Sequence, residues 1–86
     1  MKNIEKISKA FANRRRLAIL KYLKEHREAS VGEIAKAISL SFKATSRHLS
    51  LLSGANLLNK EQRSLQVFYR LSEDVAQFVK LIIKSL

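Results

Sequence analysis

The chain has 86 residues, enough for one small domain with a modest core, and its apolar content of 47% is ordinary for a globular protein. Seventeen Lys and Arg against seven Asp and Glu give a formal charge of +10, which suits a polyanionic partner or, more plainly, a basic surface without one. Cysteine is absent, which excludes disulfides, thiolate metal ligands and thiol catalysis. No apolar run approaches the roughly 20 residues that span a bilayer. The amino-terminal MKNIEKISKAFANRRR carries charges where a signal peptide needs an apolar core, so a cytoplasmic protein without a membrane segment is expected.

No repeat, low-complexity tract, proline or linker interrupts the chain, and residues 1–86 read as one domain. The spacing predicts a first helix over about Asn3 to Ala12, with Ile4, Ile7 and Phe11 on one side and Lys2, Lys6 and Lys9 on the other. Asn13 then caps a second helix running to about Glu25. Its Leu17, Leu20 and Leu23 face the core, and Ile19 and Tyr22 widen that face. Arg14, Arg15 and Arg16 occupy the first turn, where each exposed positive charge opposes the helix dipole by roughly 0.3 to 1 kcal/mol. Phosphate contact would explain Arg14 or Arg15, and an acid elsewhere in the fold would explain Arg16. His26 is expected as a solvated side chain in the loop Glu25-His26-Arg27-Glu28.

Ser30 and Glu33 form an S-x-x-E capping box opening a helix whose apolar residues are Val31, Ile34, Ala35 and Ile38. It should end near Ser39. The turn Ser39-Leu40-Ser41 has no glycine and is expected to reverse the chain without a positive φ, with Ser41 as the next N-cap. In the following SFKATSRHLSLL, Thr45, His48, Leu49 and Leu52 share one stripe while Lys43, Ser46, Arg47 and Ser50 point the other way. Every charged side chain between Glu33 and Glu61 is positive. A helix lying in a DNA major groove needs that composition. His48, on the apolar stripe, reads as a packed or hydrogen-bonded residue that orients this helix rather than as a ligand or catalyst.

Ala55-Asn56 supplies the C-terminal stop, since Asn tolerates a left-handed cap. Leu65, Val67, Tyr69 and Leu71 then alternate with Gln66, Phe68 and Arg70 as a half-buried strand, with Asn59 to Ser64 as its antiparallel partner and turn. The tip Glu61-Gln62-Arg63-Ser64 has no Asn-Gly or Asp-Gly, so a loose loop is expected. A helix-turn-helix followed by a hairpin is a winged helix-turn-helix. The expected fold is therefore mainly α, with about five helices and a two-stranded wing. Ser72 caps the last helix, whose Val75, Phe78, Val79, Ile82, Ile83 and Leu86 lie at helical spacing. With Ile4, Ile7 and Phe11 this stripe is wide for so small a domain, and burial against the same two helices of a second copy is expected. Completing the monomer core is the alternative, and a membrane-surface helix aided by Lys80 and Lys84 is a third.

In this order the residues resemble the ArsR/SmtB family of winged-helix transcriptional repressors over nearly the whole chain. Asn13-Arg14-Arg15-Arg16-Leu17-Ala18-Ile19-Leu20 is similar to the family's D/N-P-T-R-L-x-I-L, with Arg14 where proline is common. Leu40-Ser41 and Ser46-Arg47-His48-Leu49 resemble L-S-…-S-x-H-L, and Val67-Phe68-Tyr69-Arg70-Leu71 resembles the V-x-Y-x-L that ends the wing. The resemblance implies a homodimer on an inverted-repeat operator, with Lys43, Ser46 and Arg47 near base edges. It also implies Lys60, Gln62 and Arg63 of the wing near backbone or minor groove. The family's usual inducers are metals, but the motif similar to E-L-C-V-C-D-L falls on Ala29-Ser30-Val31-Gly32-Glu33-Ile34, which has no thiol. The site on the last helix takes Asp and His, and only Asp74 matches.

His26 and His48 are the only imidazoles, and no catalytic triad, carboxylate pair or phosphate loop is assembled, so neither a metal, a cofactor nor an enzyme activity is expected. Two classes of function remain. The first is a repressor contacting double-stranded DNA through Ser41, Phe42, Lys43, Ser46, Arg47 and Ser50, with Arg14, Arg15, Lys60, Gln62 and Arg63 in support. The second is a winged-helix module binding protein or RNA without an operator, which would need apolar anchors on a face where only Phe42 qualifies. No inducer is indicated by the residues.

Overall fold

Local chemistry starts each helix. The computed structural model describes Lys9, residues 12–73 and Leu81. Asn13 Oδ1 accepts from the N–H groups of Arg15 and Arg16 at 2.9 and 3.2 Å, opening α1 (Arg14–His26). After β1 (Glu28–Ser30), the capping box closes as expected: Ser30 Oγ accepts from Glu33 N at 3.2 Å, and Glu33 Oε1 accepts from Ser30 N at 2.8 Å. It opens α2 (Val31–Ala37). Ser41 Oγ accepts from Ala44 N at 3.1 Å and opens α3 (Phe42–Gly54). The wing is β2 (Leu58–Arg63) and β3 (Gln66–Leu71).

Both α2 and α3 end in the same way. Leu40 N–H donates to Ala35 O and Ser39 N–H to Lys36 O, while Leu57 N–H donates to Leu52 O and Asn56 N–H to Ser53 O. These are paired Schellman caps, which need a left-handed residue at the first position past the helix. Asn56 fills it at φ 62, as its amide side chain favours, but so does Ser39 at φ 55. The turn between α2 and α3 thus takes its positive φ from a serine, correcting the expectation of a turn without one.

The sheet has three antiparallel strands in the order β1-β3-β2, not two. Ala29 pairs with Tyr69 at one edge and Lys60 pairs with Tyr69 from the other. Three residues are too few to show a period of two, which is why β1 left no signal in the sequence. Pairing of Arg63 with Gln66 leaves only Ser64 and Leu65 in the turn, and Ser64 at φ 58 supplies the conformation that a two-residue hairpin demands. The tip is therefore tight rather than loose. Leu65 belongs to that turn instead of to the half-buried strand and is 96% exposed.

The core lies where α1, α2 and α3 meet the inner face of the sheet. Ile19, Leu20, Leu23, Ile34, Leu49, Leu52 and Leu57 are fully buried there, with Ala29, Val31, Leu58 and Tyr69 closing its edges. Leu17 is only half-buried and Ile19 sits at the centre, a shift of α1's apolar face relative to expectation. His26 is the last residue of α1 rather than a loop residue, stacked on Tyr22 with ring centroids 4.0 Å apart. Three helices fall among the described residues. The expected first and last helices, with Ile4, Ile7, Phe11, Val75, Phe78, Val79, Ile82 and Ile83, lie outside them. No described helix is long and apolar enough to cross a membrane.

Candidate nucleic-acid interface

α3 is held by one face and presents the other. Thr45, Leu49 and Leu52 are fully buried, so the opposite side of the helix, with Lys43, Arg47 and Ser50, is turned to solvent, and Ser46 is half-buried beside it. Phe42, the first helical residue, is 63% exposed. Ser41 is exposed as well, with its hydroxyl engaged in the cap. Among the described residues, no ion pair involves α3.

A bond that spans 32 residues also ties α3 to α1. Arg16 Nε donates to His48 Nδ1 at 3.2 Å, and Arg16 Nη1 donates to the Lys9 carbonyl at 2.8 Å. Among the described residues Arg16 therefore pairs with an imidazole and a carbonyl, and no acid reaches it there. Because Nδ1 accepts, the imidazole proton resides on Nε2. Partial burial of the ring, reinforced by the positive charges of Arg16, Arg15 and Arg47, holds the His48 pKa below its ordinary value. The neutral ring joins the first turn of α1 to the middle of α3.

Arg14 and Arg15 are exposed at the start of α1 and line an open groove of about 470 Å³ with Lys21, Glu25, Tyr22 and Ile38. Three cations there face one carboxylate. The groove lies between α1 and the carboxyl end of α2.

On the wing, Lys60 and Gln62 are exposed on β2, and Gln62 Nε2 donates to the Ser64 carbonyl at 3.4 Å. Arg63 is placed differently. Its guanidinium forms a fork with Glu28, with Nη1 to Oε2 at 2.6 Å and Nη2 to Oε1 at 2.9 Å, and Nη2 also reaches Glu61 Oε1 at 3.0 Å. The same group lies 4.6 Å over the Phe68 ring. Arg63 lowers the pKa of both carboxylates, and they raise that of Arg63. Its charge is balanced within the sheet, so it ties β2 to the edge strand β1. Among the described residues Lys60 has no ion-pair partner.

Leu65, which the alternation of the sequence puts in a half-buried strand, instead lines a second, smaller groove of about 160 Å³ with Phe42, Val31, Gly32, Gln66 and Val67. Only the hairpin register, unreadable until the strands pair, puts the wing tip beside the start of α3. Among the described residues no three His, Cys, Asp or Glu gather as metal ligands.

A helix-turn-helix backed by an antiparallel wing, its second helix cationic on the outer face, defines a winged helix-turn-helix DNA-binding domain. Residues 13–60 match the model of the bacterial regulatory proteins of the arsR family, and the chain belongs to that family of DNA-binding transcription regulators. It is 41% identical over 75 residues to the transcriptional activator HlyU of Vibrio cholerae, across 86% of this chain and 68% of that protein. The HlyU structure matches with a TM-score of 0.85 at 37% identity, covering 96% of this chain and 90% of that one. A homodimeric winged helix-turn-helix DNA-binding domain from Mycobacterium bovis matches with a TM-score of 0.87 at 32% identity, covering 94% and 75%. The transcriptional repressor BigR of Xylella fastidiosa matches at 0.81 and 27%, covering 99% and 87%.

Proposed function

We propose that this protein is a homodimeric repressor that binds an inverted-repeat operator in double-stranded DNA. One observation carries the reading: the outer face of α3 is cationic and free of ion pairs among the described residues, while its inner face is locked into the core. Lys43, Ser46, Arg47 and Ser50 read base edges in the major groove, with Ser41 and Phe42 at the entering end of the helix. Arg14 and Arg15 meet flanking phosphates, and Lys60 and Gln62 of the wing meet the backbone or minor groove. Arg63 holds the wing in place, because its guanidinium is already matched by Glu28 and Glu61.

The M. bovis domain is homodimeric, which supports a homodimer here; the interface we propose for it is the apolar set Ile4, Ile7, Phe11, Val75, Phe78, Val79, Ile82 and Ile83. Among the relatives HlyU is an activator and BigR a repressor, and we take the repressor reading because it asks least of the domain. Repression needs only occupancy of DNA that the transcription machinery must reach. Such a protein works in the cytoplasm without metal, cofactor or catalysis.

Selection of bound sequences from a random duplex pool tests this reading. An inverted repeat with half-sites about 10 base pairs apart centre to centre, bound with a steep salt dependence, is the expected result. Binding that is insensitive to salt and to sequence would instead mark a module for protein or RNA.

A further inference from the structure

We propose that Phe42 reads a thymine in each half-site through the C5-methyl group of that base. The inference rests on the DNA-binding reading above and adds the identity of one base. Phe42 is the first residue of α3, and residues at the amino end of a recognition helix are those that reach base edges. The residue is 63% exposed, one turn before Ser46, on a helix whose solvent face around it carries the hydroxyl and cationic side chains of Ser41, Lys43, Ser46 and Arg47. Leu51, the other exposed large apolar side chain on α3, sits near the far end of the helix.

A benzyl side chain neither donates nor accepts a hydrogen bond, so it cannot recognise the O6, N7, N4 or N6 positions of the bases. The thymine methyl is the one apolar group that the base pairs present in the major groove. Burying the ring against that methyl recovers apolar surface that the fold leaves in water. Phe42 also lines the shallow groove shared with Leu65, Val31 and Val67, which puts apolar atoms behind the ring rather than a charge that would draw it toward phosphate.

The test uses the full chain, the operator selected by the wild-type protein, and copies of that operator in which each symmetric thymine pair is replaced by deoxyuridine. Deoxyuridine removes the methyl and leaves base pairing intact. For one pair of positions, wild-type affinity should fall about fourfold per half-site, the worth of one buried methyl-sized group. Phe42→Ala should bind the thymine and deoxyuridine operators equally, and Phe42→Leu should keep part of the difference. Circular dichroism of both variants checks that the exposed position leaves the fold intact. Sequence-specific binding in which no thymine methyl matters, or matters equally with and without Phe42, would overturn the inference alone. Wild-type binding without any sequence preference would overturn it together with the operator reading.

Discussion

Thr45 puts a hydroxyl on the core side of α3. The side chain is fully buried in the middle of α3, and among the described residues its Oγ1 has no hydrogen-bond partner. Replacing it by valine keeps the β-branched shape and nearly the same helix propensity, so the main change is loss of the hydroxyl. An unsatisfied buried hydroxyl costs about 1 to 3 kcal/mol, and valine restores only apolar contact in its place. Thr45→Val should therefore stabilise the domain by about 1 to 2 kcal/mol. For a chain of this size each kcal/mol moves the melting temperature by roughly 4 to 8 °C. Thermal and urea unfolding at matched protein concentration would measure the gain, the matching being needed because assembly shifts the midpoint. DNA affinity should stay constant, since Thr45 faces away from Lys43 and Arg47. A lower melting temperature in Thr45→Val would refute the reasoning and show that the hydroxyl is satisfied by a bond within α3, such as one to the Ser41 carbonyl four residues back.

Lys43→Ala and Arg47→Ala should weaken DNA binding without loss of stability. A lost base contact should cost about 1 to 3 kcal/mol at one operator position, and a lost phosphate contact should lower the salt slope by about one, both readable by fluorescence anisotropy. His48 should make stability depend on pH with a definite sign. Its folded pKa is depressed by burial and by Arg16, Arg15 and Arg47, so its contribution is complete above the ordinary value of about 6.5 and is lost as pH falls from there through the folded pKa. Urea unfolding between pH 7.5 and 5 should show that loss, and His48→Gln should flatten it. Ser39→Gly should stabilise by about 0.5 to 1 kcal/mol, since glycine adopts the positive φ there without strain; a loss on calorimetry would contradict this. Zinc titration should leave operator affinity unchanged, and a stoichiometric loss of binding abolished by Asp74→Ala would reverse that view.

What the sequence alone determined about this protein is local. Asn13, the Ser30 and Glu33 pair and Ser41 each act on backbone groups two or three residues away, so their caps can be read without a fold. The polar and apolar stripes of α3 follow from helical period, and Lys43, Arg47 and Ser50 emerge on the exposed side because Thr45, Leu49 and Leu52 are drawn inward. The tertiary structure decided whatever depends on partners distant in the chain. Glu28 and Arg63, 35 residues apart, meet only after β1 joins the edge of the sheet, and that meeting gives Arg63 a carboxylate partner that no local pattern announced. Arg16 could not be matched to His48 until α1 and α3 crossed. Leu65 and Ser39 show the same limit: hairpin register exposes one, and the Schellman cap puts the other in a conformation that serine alone disfavours. Side-chain chemistry within a few residues is strong enough to dictate a cap or a stripe, whereas pairing across thirty residues is chosen by the packing of the whole domain.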